Sequence, residues 1–313
     1  MTYSIVARDK KTGEMGVAVQ SHFFSVGSIV TWARAGVGAV ATQAMVDINY
    51  GPLGLGLMAN GKSAPDAMDV LLRADAYADS RQVAMVDAKG RVSAHTGKKC
   101  LPFAGHVTGD GFSCQGNIMR NASVWGAMGR AFESNERTPL AERMVGALEA
   151  AEEAGGDARG RQSAAIIVVS PDPKPNHWEG KLVELRVEDD PAPVPELKRL
   201  LRYHRGYEWE NRGDDMLTTR DYPGALEAYS KALSLVPEID EFKFWVGIGY
   251  LGCGRLEEGE EALREVIAKD PGWAQVVDGV AQLGSPPIPS DILARLVGAP
   301  SGLGGKPVSQ GGR

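Results

Sequence analysis

Thr2 is the first residue in this sequence whose type and place could do chemistry. It follows Met1 and is small enough for methionine aminopeptidase to expose. Removal of Met1 would leave a hydroxyl and a free α-amine on one residue. Such an amine has an ordinary pKa of ~7.7–8.0, so much of it can accept the hydroxyl proton near pH 7. Nucleophile and base then share a residue. Many chains begin Met-Thr for no chemical reason, so the dipeptide needs support elsewhere. Polar clusters interrupt the apolar strands where these hand over to loops or helices. They are Gln20-Ser21-His22, Thr42-Gln43, Gln115-Gly116-Asn117 and Asp157-Ala158-Arg159-Gly160-Arg161-Gln162-Ser163.

Other chemistries have less to stand on. There are five histidines and three cysteines, Cys100, Cys114 and Cys253. None forms a His-x-x-x-His or Cys-x-x-Cys pair, so no metal site is expected. No phosphate loop occurs, and Gly51-Pro52-Leu53-Gly54-Leu55-Gly56 lacks the strand–turn–helix setting of a dinucleotide site, so no cofactor is expected. His95, in Ala94-His95-Thr96-Gly97, is the histidine best placed to face a pocket, and a packed histidine fits equally well. His22 and His106 are weaker, and His177 and His204 read as surface. Cys114 reads as strand packing, and an enzyme built on His95 or Cys114 is a third, weaker possibility. Arg159 and Arg161 suit surface ion pairs as well as ligands.

The elements follow from periodicity. Thr2–Arg8 and Met15–Gln20 form a hairpin, and Ile29–Trp32 and Val37–Thr42 a second strand pair. Gly51–Ala59 and a helix capped by Ser63 come next, with Pro65 in its first turn and Asp66 at its third position. Arg81–Asp87 and Arg91–Thr96 are strands, Gly97–Gly111 is loop, and Phe112–Gln115 is a strand. Helices over 122–134 and 139–154 precede strands Ser163–Ser170 and Lys181–Val187. Strand and helix blocks in this order predict an α+β fold with two β layers between two helical layers, over residues 1–190.

Residues 191–212 read as a proline-rich linker and connecting helix, with helices over 196–212 and 214–219. Beyond them the period is helical, with segments 222–235, 241–253, 256–269 and 273–283. Tyr222 and Leu256, Tyr229 and Leu263, and Pro237 and Pro271 each stand 34 residues apart, the tetratricopeptide period. Residues 213–284 are therefore tetratricopeptide-like. With about two repeats, they should dock on the front domain or on another chain. Residues 285–313 read as a flexible tail with one short helix at 291–297.

Composition bounds the partners. The 313 residues carry 34 basic and 40 acidic side chains, a net charge of −6 that argues against nucleic acid. No run approaches ~18 apolar residues, so no membrane contact is expected. The first residues lack a secretory pattern, and the unpaired cysteines suit a reducing cytoplasm. Edge strands of a small sandwich invite pairing, so a homo-oligomer is expected. The 39 glycines crowd the front half. Gly36, Gly38, Gly97, Gly116 and Gly160 lie in or beside the polar clusters that should ring Thr2.

Residues 2 to about 190 resemble the N-terminal-nucleophile (Ntn) hydrolase-like family known as domain of unknown function 1028. The matching stretches are Thr2-Tyr3-Ser4-Ile5-Val6-Ala7-Arg8-Asp9, Ala35–Ala44, Ala94–Gly97, Gln115–Asn117 and Gly156–Ala165. Singly each is weak; as a set they are specific. The resemblance implies a four-layer αββα Ntn fold and amide hydrolysis of a small or peptide-like substrate. Some members carry a C-terminal domain described as peptidoglycan-binding, where this chain has its tetratricopeptide-like segment, suited to a protein partner.

The Ntn layout assigns roles by chain order. Thr2 is the nucleophile, and Ser21 takes the place of an acidic residue near it. Arg34, on the turn into the next strand pair, would hold the amine or substrate in register; no lysine occupies this region, so the Lys–Asp support of the Ntn layout is absent or replaced. Backbone groups at Thr42, Gln43 and Ala44 would form an oxyanion hole. Gln115 and Asn117 would place amide donors on the substrate. Asp157 would support the amine together with Ser163, and Gln162, Arg159 and His95 would line the substrate site. The competing reading is a non-catalytic ligand-binding or oligomerising module.

Overall fold

The computed structural model describes residues 2–176 and 178–298. His177, expected at the surface, and residues 299–313 of the expected flexible tail lie outside the described residues. The chain divides at Leu201/Arg202 into two compact units.

The front unit begins with β1 (Thr2–Arg8) and β2 (Met15–Ser21), the expected hairpin. A short α1 (Gly27–Val30) precedes β3 (Thr31–Arg34) and β4 (Gly38–Ala44). Next come α2 (Tyr50–Ala59), α3 (Ala64–Ala74), β5 (Arg81–Asp87) and β6 (Val92–Thr96). Then follow β7 (Gly105–Gly109), β8 (Phe112–Asn117), α4 (Val124–Ser134) and α5 (Leu140–Glu153). β9 (Ser163–Val169) and β10 (Lys181–Val187) complete the sheets. β7 corrects the expected loop 97–111. It is an edge strand between two glycines, with one neighbour, and so lacks the continuous apolar run of a buried strand.

The fold is α+β with antiparallel sheets. One sheet has the order β10-β9-β2-β1-β8-β7 and the other β3-β4-β5-β6. Strand alternation builds three cores. Tyr3, Ile5 and Cys114 face α4 and α5 and pack on Met128, Phe132, Met144 and Leu148. Val6, Val17 and Val19 face the second sheet and meet Ala39, Ala41, Ala84 and Val86. Val40, Val83 and Met85 face outward onto Tyr50, Leu55, Met58 and Met68 of α2 and its neighbours. Two sheets thus lie between two helical layers. Ser63 caps α3 as its sequence requires: its Oγ accepts the Asp66 N–H at 3.1 Å, and Asp66 answers.

The turn that aligns β1 with β2 is pinned by Asp9. Its carboxylate accepts the N–H groups of Lys11 (2.8 Å) and Thr12 (2.9 Å) and the guanidinium of buried Arg143 (3.0 Å). Arg143 also stacks on Phe132 and donates to its carbonyl. Burial pushes the Asp9 carboxyl up, but the two backbone donors and Arg143 outweigh it and leave the pKa lowered. A lowered acid stabilises the fold above its unfolded pKa of ~3.9 and loses that contribution as pH falls through the folded value. Asp9→Asn should therefore cost about 2–3 kcal/mol at pH 7 and almost nothing in strong acid. Urea unfolding at both pH values checks this.

α6 (Pro193–Thr218) is one helix, not the expected pair broken near Gly213. Its start lies within the expected linker, and Val194, Leu197 and Leu201 pack into the front unit's core. Gly213 is retained because a Cβ there would meet the Tyr229 ring at 2.3 Å. α7 (Tyr222–Leu235), α8 (Asp240–Gly252), α9 (Leu256–Lys269), α10 (Trp273–Leu283) and α11 (Ser290–Val297) follow. α7 and α9 start and end 34 residues apart, matching the sequence period. Ile292 and Leu296 of α11 are buried against Val277 and Val280, so the expected flexible tail is packed through this helix.

Glu210 of α6 is buried in this unit. Burial first, then the charges of Asp214 and Glu241, push its carboxyl up to about 7. A raised acid costs stability as pH climbs from its unfolded value through the folded one. Glu210→Gln should stabilise the chain by about 2 kcal/mol at pH 8 and change little at pH 5, read from unfolding midpoints.

Candidate functional site

The strand ends set the site. In register across the first sheet, Ser163 stands opposite Ser21, Ser21 opposite Thr2, and Thr2 opposite Asn117. All four side chains fall on the face that looks toward the second sheet, the parity shared by Val6, Val17 and Val19. Farther along that face β2 and β9 carry apolar side chains, while Ser4 and Gln115 extend the polar set one step inward, so the polar groups gather at one end of the sandwich. Across from it, Gln43 of β4 is in register with Gln82 of β5, and Gln82 with Thr96 of β6.

The row is hydrogen-bonded throughout. Thr2 Oγ1 donates to Ser21 Oγ at 3.0 Å. The Thr2 carbonyl accepts Gln43 Nε2 at 3.0 Å and Asn117 Nδ2 at 3.4 Å. Both amides also donate to Gln82 Oε1, at 2.7 and 2.8 Å. Gln82 Nε2 is shared among the Gly116 carbonyl, Thr96 Oγ1 and the Gly105 carbonyl. Ser4 Oγ donates to Gln43 Oε1 and accepts from Gln115 Nε2. Thr2 is 3% exposed, and Gln43 and Asn117 1% each. Low-dielectric surroundings strengthen such a network and make each missing partner costly.

Gln82 is the hub that sequence reading passed over. The signal was present: a glutamine at the start of an apolar strand, at the inward parity of Ala84 and Val86. Asn117, expected to place its amide on the substrate, and Gln43, expected to offer backbone groups to an oxyanion hole, spend their side-chain amides on Thr2 and Gln82. They are positioning residues. Gln115 is one step further back, bonded to Ser4 and to the Ala41 carbonyl.

Asp157 is fully buried and binds backbone rather than Thr2. It accepts the His22 N–H at 3.2 Å and is paired with Arg159 at 2.8 Å. His22 directly follows Ser21, so Asp157 fixes the end of β2. Ser163 Oγ donates to the Phe23 carbonyl and accepts the Val26 N–H, which orders the loop after β2. Gln162 Nε2 donates to Asp189 Oδ1, away from the row.

Three expected site residues lie elsewhere. Arg34 is in register with Gly38 at the far end of β4. Gln43 stands five residue steps from Gly38 along β4, about 17 Å at the usual strand rise. Gly36 and Gly38 share that distant end. Thr42 points outward, its Oγ1 donating to the Asp47 carbonyl. His95 also points outward, Nε2 lying 2.9 Å from the Ala78 carbonyl. For Thr42 and His95 the strand was read correctly but the parity was not; Arg34 ends β3, two residues beyond the expected strand, and lies at the wrong end of the sandwich. His106 is instead the histidine tied to the network, its Nδ1 2.8 Å from Thr96 Oγ1. Burial, then the nearby His95, lowers its pKa. Cys114 is fully buried, and burial pushes its thiol well up, which suits packing and not attack.

Backbone strain gathers at the same end. Ser25, Ala44 and Ile118 adopt positive φ of 55°, 70° and 50°. They follow Ser21, Gln43 and Asn117 within a few residues. Positive φ in a β-branched residue such as Ile118 is costly and is held only by its surroundings.

Among the described residues, no helix is long and apolar enough to cross a membrane. No curated protein matches the chain. A crystal structure of a Silicibacter pomeroyi protein, described as a DUF1028 family structure, is similar to it with a TM-score of 0.58 and 32% identity. That match covers 64% of this chain and 88% of the other. The model of a family of unknown function, DUF1028, matches residues 2–197, well over half the chain, and the chain therefore belongs to the DUF1028 family.

Proposed function

We propose that the front unit is an Ntn-type amidohydrolase whose nucleophile is Thr2, freed by removal of Met1. The observation that carries this reading is the Thr2 hydroxyl on Ser21, on a residue whose carbonyl is clamped by Gln43 and Asn117. Thr2 Oγ attacks the amide carbonyl carbon, and the hydroxyl proton passes to the Thr2 amine. The C–N bond breaks as the leaving nitrogen takes that proton. Water then hydrolyses the acyl ester and restores the hydroxyl. Ser21 orients Oγ, while Gln43, Asn117 and Gln82 hold the Thr2 backbone still, which is where preorganisation has its effect. Comparing amide hydrolysis by chain with Met1 removed and chain with Met1 retained tests this. Equal rates would refute it.

The burial of Thr2 favours a second reading, in which the front unit binds or assembles without cleaving. Saturable ligand binding with no turnover in the Met1-free chain would support it. The 34-residue recurrence of α7 and α9 supports a tetratricopeptide-like helical unit that receives a protein partner.

A further inference from the structure

The two ends of the front sandwich differ in what they show to solvent. At the end that carries the polar row, the loops expose large apolar side chains. Phe23 and Phe24 follow Ser21, with Phe24 62% exposed. Met45 and Ile48 follow Gln43, with Met45 68% exposed. Leu101 and Phe103 are tied by backbone bonds to Ile118 and Met119, the residues after Asn117. At the opposite end, among the described residues, Trp178 is the exposed large apolar side chain. Single exposed apolar residues mean little, but a cluster confined to one end marks a binding surface.

Three of the arginines at this end are paired with carboxylates. Arg81 is paired with Asp75 at 2.7 Å, Arg159 with Asp157 at 2.8 Å, and Arg161 with Glu152. Arg34 lies at the far end, and Arg120, exposed directly after Met119, is a cation at this end without an ion pair among the described residues. The three strained residues Ser25, Ala44 and Ile118 sit in the same loops and fix how those loops leave the row.

We propose that these loops form an acyl-binding rim, and that the substrate is an amide bearing a long aliphatic or aromatic acyl group. The proposal rests on the Thr2 reading for its chemistry, but not for its binding. The apolar chain lies against Phe23, Phe24, Met45, Ile48, Leu101 and Phe103 while its carbonyl is delivered toward Thr2.

The test uses N-decanoyl-alaninamide and N-acetyl-alaninamide with the full-length, Met1-free protein. Hydrolysis is followed by the freed alaninamide, and binding by calorimetry on the Thr2→Ala variant. The decanoyl amide should bind and turn over at least about 100-fold better than the acetyl amide, as expected for burial of several methylenes. Phe24→Ser with Met45→Ser, both exposed positions, should shrink that ratio at least about tenfold. Thermal unfolding confirms that the variant is folded. Equal turnover of both amides would overturn the rim and leave the Thr2 mechanism standing. Tight decanoyl binding without cleavage would leave the rim standing and remove the mechanism. Failure to bind either amide overturns the proposal, as does a dimer that the double substitution dissociates, since a second copy would then occupy the rim.

Discussion

Thr2→Ala should abolish amide hydrolysis, lowering kcat/KM by at least about 10³-fold, while the protein stays folded. The side chain lost is small, and one hydroxyl bond to Ser21 goes with it, a stability cost of about 1 kcal/mol. The carbonyl clamp by Gln43 and Asn117 uses backbone and survives the change. Loss of rate therefore reports the nucleophile and not the fold. Thr2→Ser keeps a hydroxyl on the same clamped backbone and should retain measurable turnover. Thr2→Ala retaining more than a tenth of the activity would mean that another group attacks.

The second large effect concerns Gln82. Gln82→Leu is close in volume but has no amide. It would remove the acceptor for Gln43 and Asn117 and the donor to Gly105, Gly116 and Thr96. Several buried polar groups would lose partners together, each costing ~1–3 kcal/mol. Some would relax toward one another, so a net loss of about 3–4 kcal/mol is expected, read by urea unfolding. Any activity should fall in kcat more than in KM, because the Thr2 backbone loses its support. A loss below about 1 kcal/mol would show that the hub is not structural.

Much of this was legible in the sequence because local rules and burial agree. β1, β5 and β10 fall where alternation and turn residues place them, and Ser63-Ala64-Pro65-Asp66 announced its cap. Thr2, Ser21, Gln43 and Asn117 are joined because each is a polar residue at one end of an apolar strand. What was hidden is parity and pairing. Thr42 and Gln43 are adjacent, and only the register of β4 against β5 decides which looks inward. Arg34 read as near the site because it precedes the strand that reaches Gln43, but that strand carries it to the opposite end. β7 was hidden by its glycines and by its edge position. Gln82 was missed because one polar residue in an apolar strand is a weak signal until its partners are known. The exposed rim could not be seen either, since apolar residues in loops look like any others until exposure is measured.

The proposed chemistry requires Thr2 to become an N-terminal nucleophile. The most direct measurement is mass spectrometry of the N-terminal peptide after exposure to a β-lactone, a strained ester that acylates an activated hydroxyl. The expected product is a peptide that begins at Thr2 and carries the acyl adduct on that residue. A peptide that still begins at Met1, or a Met1-free peptide without an adduct, would contradict it.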